Sequence, residues 1–218
     1  MTMVDDLTAV ESAQLAGAPP GCFHGSLQPI TDSERRSLRS IGRTARGVAG
    51  QTGALLIGLS AFLDVQIFQG VRAGAADGPR IPHVVSAGQR VILVESVAWP
   101  AARYDADLPS GHVRCDGVYI GQSVRPLLAA VRYWRELLPT DHQVSALVVV
   151  HTMTCGELTL PTAAGPDLAW VRAEEAVQWI QACLPGGWPD ASPRAIAELT
   201  AAIAAGEEDT GVNSPPRP

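Results

Sequence analysis

Short apolar, β-branched runs alternate along this chain with longer segments whose apolar residues recur every three or four positions. Ile81–Ser86 and Val91–Val97 read as two strands joined by a tight turn through Ser86-Ala87-Gly88-Gln89. A gap this short is of hairpin length, so the two are predicted to be adjacent and antiparallel. Val144–His151 is apolar at nearly every position, the pattern of a strand buried on both faces. Further strands are predicted at Asp64–Val71, Val113–Ile120 and Leu168–Val171. From Ser123 to Leu138, the residues Val124, Leu127, Leu128, Val131, Trp134 and Leu138 fall at helical spacing. Helices are also predicted at Gln51–Phe62, Glu174–Leu184 and Pro193–Ala205, the last with proline suited to a first turn. Another, at Ser33–Gly47, is opened by the cap-forming run Thr31-Asp32-Ser33-Glu34. Strands interspersed with helices imply an α/β fold, a mixed central β-sheet flanked by helices.

The same pattern divides the chain. Residues 1–30 read as an irregular segment, 31–49 as a basic amphipathic helix and 50–205 as the α/β domain. Residues 206–218, ending Ser214-Pro215-Pro216-Arg217-Pro218, read as a Pro-rich tail that cannot bury a core. The stretch Gly47–Leu63 carries no charge, but it falls short of the about 20 apolar residues of a membrane span and is broken by Gln51, Thr52 and several glycines. It is predicted to be a buried helix, with no transmembrane segment.

Composition narrows the chemistry. A length of 218 residues with 46% hydrophobic content suits one domain with appendages. A net charge of -6 and a pI near 5.3 argue against a dominant nucleic-acid footprint. All 16 Lys+Arg residues are arginines, so no chemistry that needs a lysine is open to the chain, the phosphate-binding P-loop included. Cys22, Cys115, Cys155 and Cys183 are scattered without zinc-ribbon spacing and read as reduced thiols of a cytoplasmic protein. Met1–Gly21 has Asp5, Asp6 and Glu11 but no basic start, unlike a secretory signal. No G-x-S-x-G elbow occurs, and the closeness of His112 to Cys115 in sequence does not make a catalytic pair.

From Gly50 to Leu184 the order of motifs resembles the nuclease-related domain, a branch of the PD-(D/E)XK nuclease fold. The residues that carry the resemblance are Gly50-Gln51-Thr52-Gly53-Ala54, Ile81-Pro82-His83-Val84-Val85, Val94-Glu95-Ser96-Val97-Ala98-Trp99, then Asp116-Gly117 through Gln122 and the helix after it. The resemblance implies a core like that of restriction endonucleases. It also implies that the family's helix glutamate falls on Ala54, its first strand acid on Pro82, its second on Glu95, its lysine on Val97 and its glutamine on Gln122. Glu95 and Gln122 are thus the vestigial site candidates, and no residue is assigned a catalytic role.

In such nucleases strand acids hold Mg²⁺, which polarises the phosphate and activates water. Mg²⁺ favours octahedral oxygen ligands, commonly one or two carboxylates with water and phosphate. Pro82 and Val97 supply neither ligand nor charge, so no cofactor is expected. Mg²⁺ enters only under the alternative of an atypical nuclease built on Glu95, with Asp64, Asp77, His83 or Asp116 as substitute ligands. Against that stands a structural Glu95, satisfied by Arg80, Arg90 or backbone N–H groups. His83 is read as a hydrogen-bonded structural histidine facing away from Pro82, Trp99 as a packing anchor, and Gln122 as either a helix cap or a site residue. Arg35, Arg39, Arg43 and Arg46 share one helix face, a candidate binding surface for phosphates, anionic lipid heads or an acidic protein, or else a solvated face. The function expected is that of a non-catalytic nuclease-related module. Its partner would be another protein or, weakly, a nucleic acid; a membrane-peripheral accessory role is a further alternative.

Overall fold

The computed structural model, which describes residues 22–27, 45–61, 65–74, 80–107, 109–162, 167–184 and 190–208, is organised around a six-stranded mixed sheet. Its strands lie in the order β1 (Phe23–Gly25), β2 (Gln66–Arg72), β3 (Arg80–Ala87), β4 (Arg90–Trp99), β8 (Gln143–Thr152) and β9 (Leu168–Arg172). β3 runs antiparallel to both its neighbours, β2 and β4, while the β1–β2, β4–β8 and β8–β9 pairings are parallel. The predicted hairpin is present. Ala87 pairs with Arg90 across a Gly88-Gln89 turn, and Gly88 takes a φ of 56° at the first turn position, where two-residue hairpins favour glycine.

Successive residues of β4 alternate between the faces of the sheet. Val91, Leu93, Val97 and Trp99 join one core layer, and Ile92 and Val94 the other. The second layer is closed by α1 (Ala45–Leu56), a 3-10 turn at Ile57–Ala61, and α3 (Ala176–Cys183). The first is closed by α2 (Arg125–Leu137) and α4 (Pro193–Glu208), and by a small second sheet of β5 (Tyr104–Asp107), β6 (His112–Cys115) and β7 (Val118–Ser123). The fold is therefore α/β, a mixed sheet flanked by helices, as the pattern predicts.

α2 has the clearest amphipathic logic. Leu127, Ala130, Val131 and Trp134 are buried on one face, while Arg125, Ala129, Arg132 and Glu136 are exposed. Arg135 fixes its last turn, donating through one terminal nitrogen to the Val144 carbonyl and to Asp167 Oδ1, both at 2.6 Å. The guanidinium in turn holds the Asp167 carboxyl below its usual range.

Several boundaries differ from the sequence reading, each for a local reason. The strand predicted at Val113–Ile120 is two strands, β6 and β7, because Asp116 and Gly117 take φ values of 48° and 82° and reverse the chain. That is the Asp-Gly signature of a type I′ turn. α1 begins at Ala45 rather than Gln51 and runs through position 50, where the sequence reading opens the α/β domain. Gly53, unfavourable by propensity, permits close approach to the sheet: a side chain there would meet His83 Nε2 at 3.0 Å. Within the segment read as irregular, Phe23–Gly25 forms β1, and α4 extends past the predicted end at Ala205 to Glu208. Most of the helix predicted at Ser33–Gly47 lies outside the described residues, Arg35, Arg39 and Arg43 included, as do Asp64 and Asp77. Of the arginine face only Arg46 falls within a described element, on the first turn of α1.

Gly70 marks the irregularity in β2. Its φ is 69°, the register steps from Gln69↔His83 to Val71↔Ile81, and Arg80 Nε donates to its carbonyl at 3.0 Å. A Cβ there would sit 2.5 Å from the Ser26 carbonyl oxygen, so backbone as well as side chain would have to move. Gly70→Ala should destabilise the protein by about 1–3 kcal/mol or more. Gly50→Ala, in the interior of α1 with nothing within 4 Å of the added Cβ, should stabilise it by about 0.5–1 kcal/mol. Urea unfolding of the two variants beside the parent checks the opposite signs.

Candidate functional site

The site begins where β4 leaves β3. The two strands pair from Ala87↔Arg90 to His83↔Val94, and the ladder stops there. The next residue of β3 is Pro82, which has no N–H to donate, so it suits the point at which pairing ends. By the same register Pro82 comes opposite Glu95. On its other side β4 stays paired with β8 along its full length, from Arg90↔Gln143 to Trp99↔Thr152. The second half of β4 is thus fixed to one neighbour and released from the other. The Ser96 N–H, just past the last β3 pair, donates to Glu95 Oε1 at 2.9 Å.

A cavity of about 210 Å³ opens over this half-strand. Its floor is formed by Glu95, Val97 and Trp99 of β4, Val148 of β8 and Trp170 of β9. Arg80 and Ile81 of β3 lie to one side, and Gly121–Ser123 of β7 and Pro126 and Leu127 of α2 close over it. Gly121, Ser123 and Pro126 are exposed, so the cavity reaches the surface at the β7–α2 junction. Glu95 is half-buried in this lining. Withdrawal from water pushes its carboxyl up to about 7, and the Ser96 N–H only partly offsets the effect.

Gln122, separated from Glu95 by a whole subdomain in sequence, lines the same cavity. Its Oε1 accepts a 2.7 Å hydrogen bond from Trp99 Nε1, which ties β7 to the end of β4. It is not the helix cap: Val124 holds that position, and the Arg125 N–H donates to Ser123 Oγ at 3.2 Å. Trp99 is a packing anchor as predicted, stacked on Tyr104 with ring centroids 4.0 Å apart and on Trp170 at 5.4 Å. The structure therefore brings Glu95, Gln122 and Val97 to one place, and it leaves the arginine face outside the described residues apart from the position of Arg46.

Of the groups considered as partners for Glu95, the backbone N–H is the one found. Arg80 donates instead to the carbonyls of Gly70 and Ser26, and among the described residues Glu95 makes no ion pair. Asp116, a candidate ligand, is spent on its turn, with Oδ1 accepting the Arg103 N–H at 3.2 Å. Among the described residues no three His, Cys, Asp or Glu side chains converge as a metal would need. The donor set around Glu95 does not fit Mg²⁺: one carboxylate faces Val97, Trp99 and Val148 where further oxygens would be required.

His83 departs from the reading as a hydrogen-bonded histidine. It lies fully buried on the α1 face, opposite Gly53, and among the described residues neither ring nitrogen has a partner. Burial pushes its pKa down to about 3, so the ring is neutral. Sequence reasoning also missed a buried polar chain on that face. Ser96 Oγ donates to Thr52 Oγ1 at 2.8 Å, and Thr52 Oγ1 lies 2.8 Å from His151 Nε2. Ser96 interrupts the apolar run of β4 and His151 closes that of β8, and those polar positions are the signal that could have flagged them.

The four cysteines are free, and no helix of the described residues is long and apolar enough to cross a membrane. Comparison of the chain with protein-family models, with curated proteins and with solved structures finds no match.

Glu95 and His83 give stability opposite pH dependences. Glu95 has a folded pKa of about 7 against an ordinary 4.5, so its contribution is full below pH 4.5 and is lost as pH rises through 7. His83 has a folded pKa of about 3 against 6.5, so the unfolded chain takes up its proton first and stability falls as pH drops from 6.5 towards 3. Between pH 4.5 and 6.5 the two slopes oppose each other. Glu95→Gln should remove the first, leaving a variant that gains on the parent across pH 4.5–7 by about 2–3 kcal/mol, then holds level. Chemical unfolding of both proteins across that range measures the difference.

Proposed function

We propose that this chain is a non-catalytic, nuclease-related module that acts by binding, in the cytoplasm. The observation that carries the reading is the state of Glu95. It lies where the resemblance puts a metal-binding acid, yet it is the one carboxylate among the described residues lining a largely apolar cavity, and burial raises its pKa to about 7. Hydrolysis of a phosphodiester asks for a charged, wet, multidentate site. A cavity with apolar walls and a few polar groups is the form of a small-ligand site, although about 210 Å³ is modest for one. Support for the nuclease-related origin comes from the adjacent antiparallel β3 and β4, which carry the second and third motifs, and from Gln122 reaching the same cavity as Glu95. Partners at the arginine face, whether protein or weakly bound nucleic acid, belong to the same proposal.

The test is purified protein with plasmid, single-stranded and duplex oligonucleotide substrates in Mg²⁺ or Mn²⁺, beside Glu95→Gln. No cleavage above background is expected from either protein. Cleavage by the parent that Glu95→Gln abolishes would overturn the proposal.

A further inference from the structure

We propose that the cavity lined by Glu95 binds a small amphipathic amine, a molecule with one apolar ring and a protonated amine on a short arm. The ring would lie among Val97, Trp99, Leu127 and Val148, and the amine against the Glu95 carboxylate. This deepens the binding role above and rests on Glu95 being no longer part of a hydrolytic centre.

Size sets the first limit. The cavity holds about 210 Å³. A dry engineered cavity of about 150 Å³ in another protein takes up benzene, so one ring with a short arm is the scale of ligand that fits. The route in is the surface opening at Gly121, Ser123 and Pro126.

Charge sets the second. Glu95 is held by one backbone N–H and, among the described residues, by no cation. The other titratable group in the lining is Arg80, from β3, whose guanidinium donates to the Gly70 and Ser26 carbonyls. β8, β9, β6, β7 and α2 present to the cavity Val148, Trp170, Val113, Gly121–Ser123, Pro126 and Leu127, none of which titrates. A carboxylate short of water gains far more from a cation than an exposed one does. An anion would face repulsion from it, and a neutral hydrocarbon would strip its remaining water without compensation. The ligand that satisfies both wall and charge is apolar at one end and cationic at the other, and a charge-assisted hydrogen bond to Glu95 would fix its orientation.

The probe is 2-phenylethylamine, with ethylbenzene as its uncharged counterpart, titrated calorimetrically into the full chain at pH 8. Saturable binding of the amine is expected, about tenfold or more weaker in Glu95→Gln, in line with the loss of a hydrogen bond to a charged group. Glu95→Gln keeps the shape of the side chain and relieves its desolvation, so it should fold. A second readout is proton release. At pH 7 the amine should expel about half a proton from Glu95, measured with buffers of different ionisation enthalpy, and Glu95→Gln should release none. No saturable binding, equal affinity in the variant, or ethylbenzene binding as tightly as the amine would each overturn the proposal. The nuclease assay is independent of these titrations, so loss of the amine site and loss of the non-catalytic reading give different results.

Discussion

β4 is held by β8 over its whole length and by β3 over only half of it, and the candidate site follows from that asymmetry. A strand paired on both sides has no room beside it. Once the β3 ladder stops at His83↔Val94, backbone groups of β4 need other partners, and the Ser96 N–H finds one in Glu95 itself. The β8 ladder keeps the released half-strand straight and in register, so the side chains of Glu95, Val97 and Trp99 stay on one face. Pro82 stands at the point of release, and it also stands where the resemblance to nucleases would put an acid. Pro82, with no N–H to donate, cannot extend the ladder to Glu95.

The two faces of the same strand hold different solutions to buried polarity. On the α1 face, Ser96, Thr52 and His151 satisfy one another in a short chain of hydrogen bonds. His83, on that face too, has no described partner and remains neutral at the cost of a depressed pKa. On the other face, Glu95 keeps some contact with the cavity and takes an elevated pKa instead. A buried base that loses its proton and an acid that keeps it are responses to one cause, the expense of a charge away from water. The opposed shifts confine both groups to neutral forms at mildly acidic pH.

Gln122 shows how a subdomain becomes part of a site. The chain leaves β4 at Trp99, builds β5, β6 and β7, and returns to the end of β4 through the Trp99–Gln122 hydrogen bond. The stacked Trp99, Tyr104 and Trp170 brace this return from below. α2 then starts at once, with Ser123 accepting the N–H at its first turn and Pro126 fitting near the N-terminus, where an N–H is not required. The cavity roof is therefore a strand end and a helix start, held by one indole and one amide.

Much of the architecture was legible in the sequence because burial imposes a period. The β3–β4 hairpin, the buried β8 and the amphipathic α2 were all readable from which positions are apolar; Glu95 was visible as a carboxylate near the end of an apolar strand, and Gln122 only through the resemblance. Local backbone conformation was partly hidden: the Asp116-Gly117 reversal lay inside a strand-like segment, and Gly53 of α1 looked unfavourable until its close approach to His83 explained it. Only the tertiary structure decided that the β3 ladder ends opposite Glu95, that Gln122 binds Trp99, and that Thr52, Ser96 and His151 meet. These are contacts between residues far apart in the chain. A pattern of hydrophobicity says which side of an element is buried, but the partner it is buried against is fixed only when strand register and helix docking are settled together.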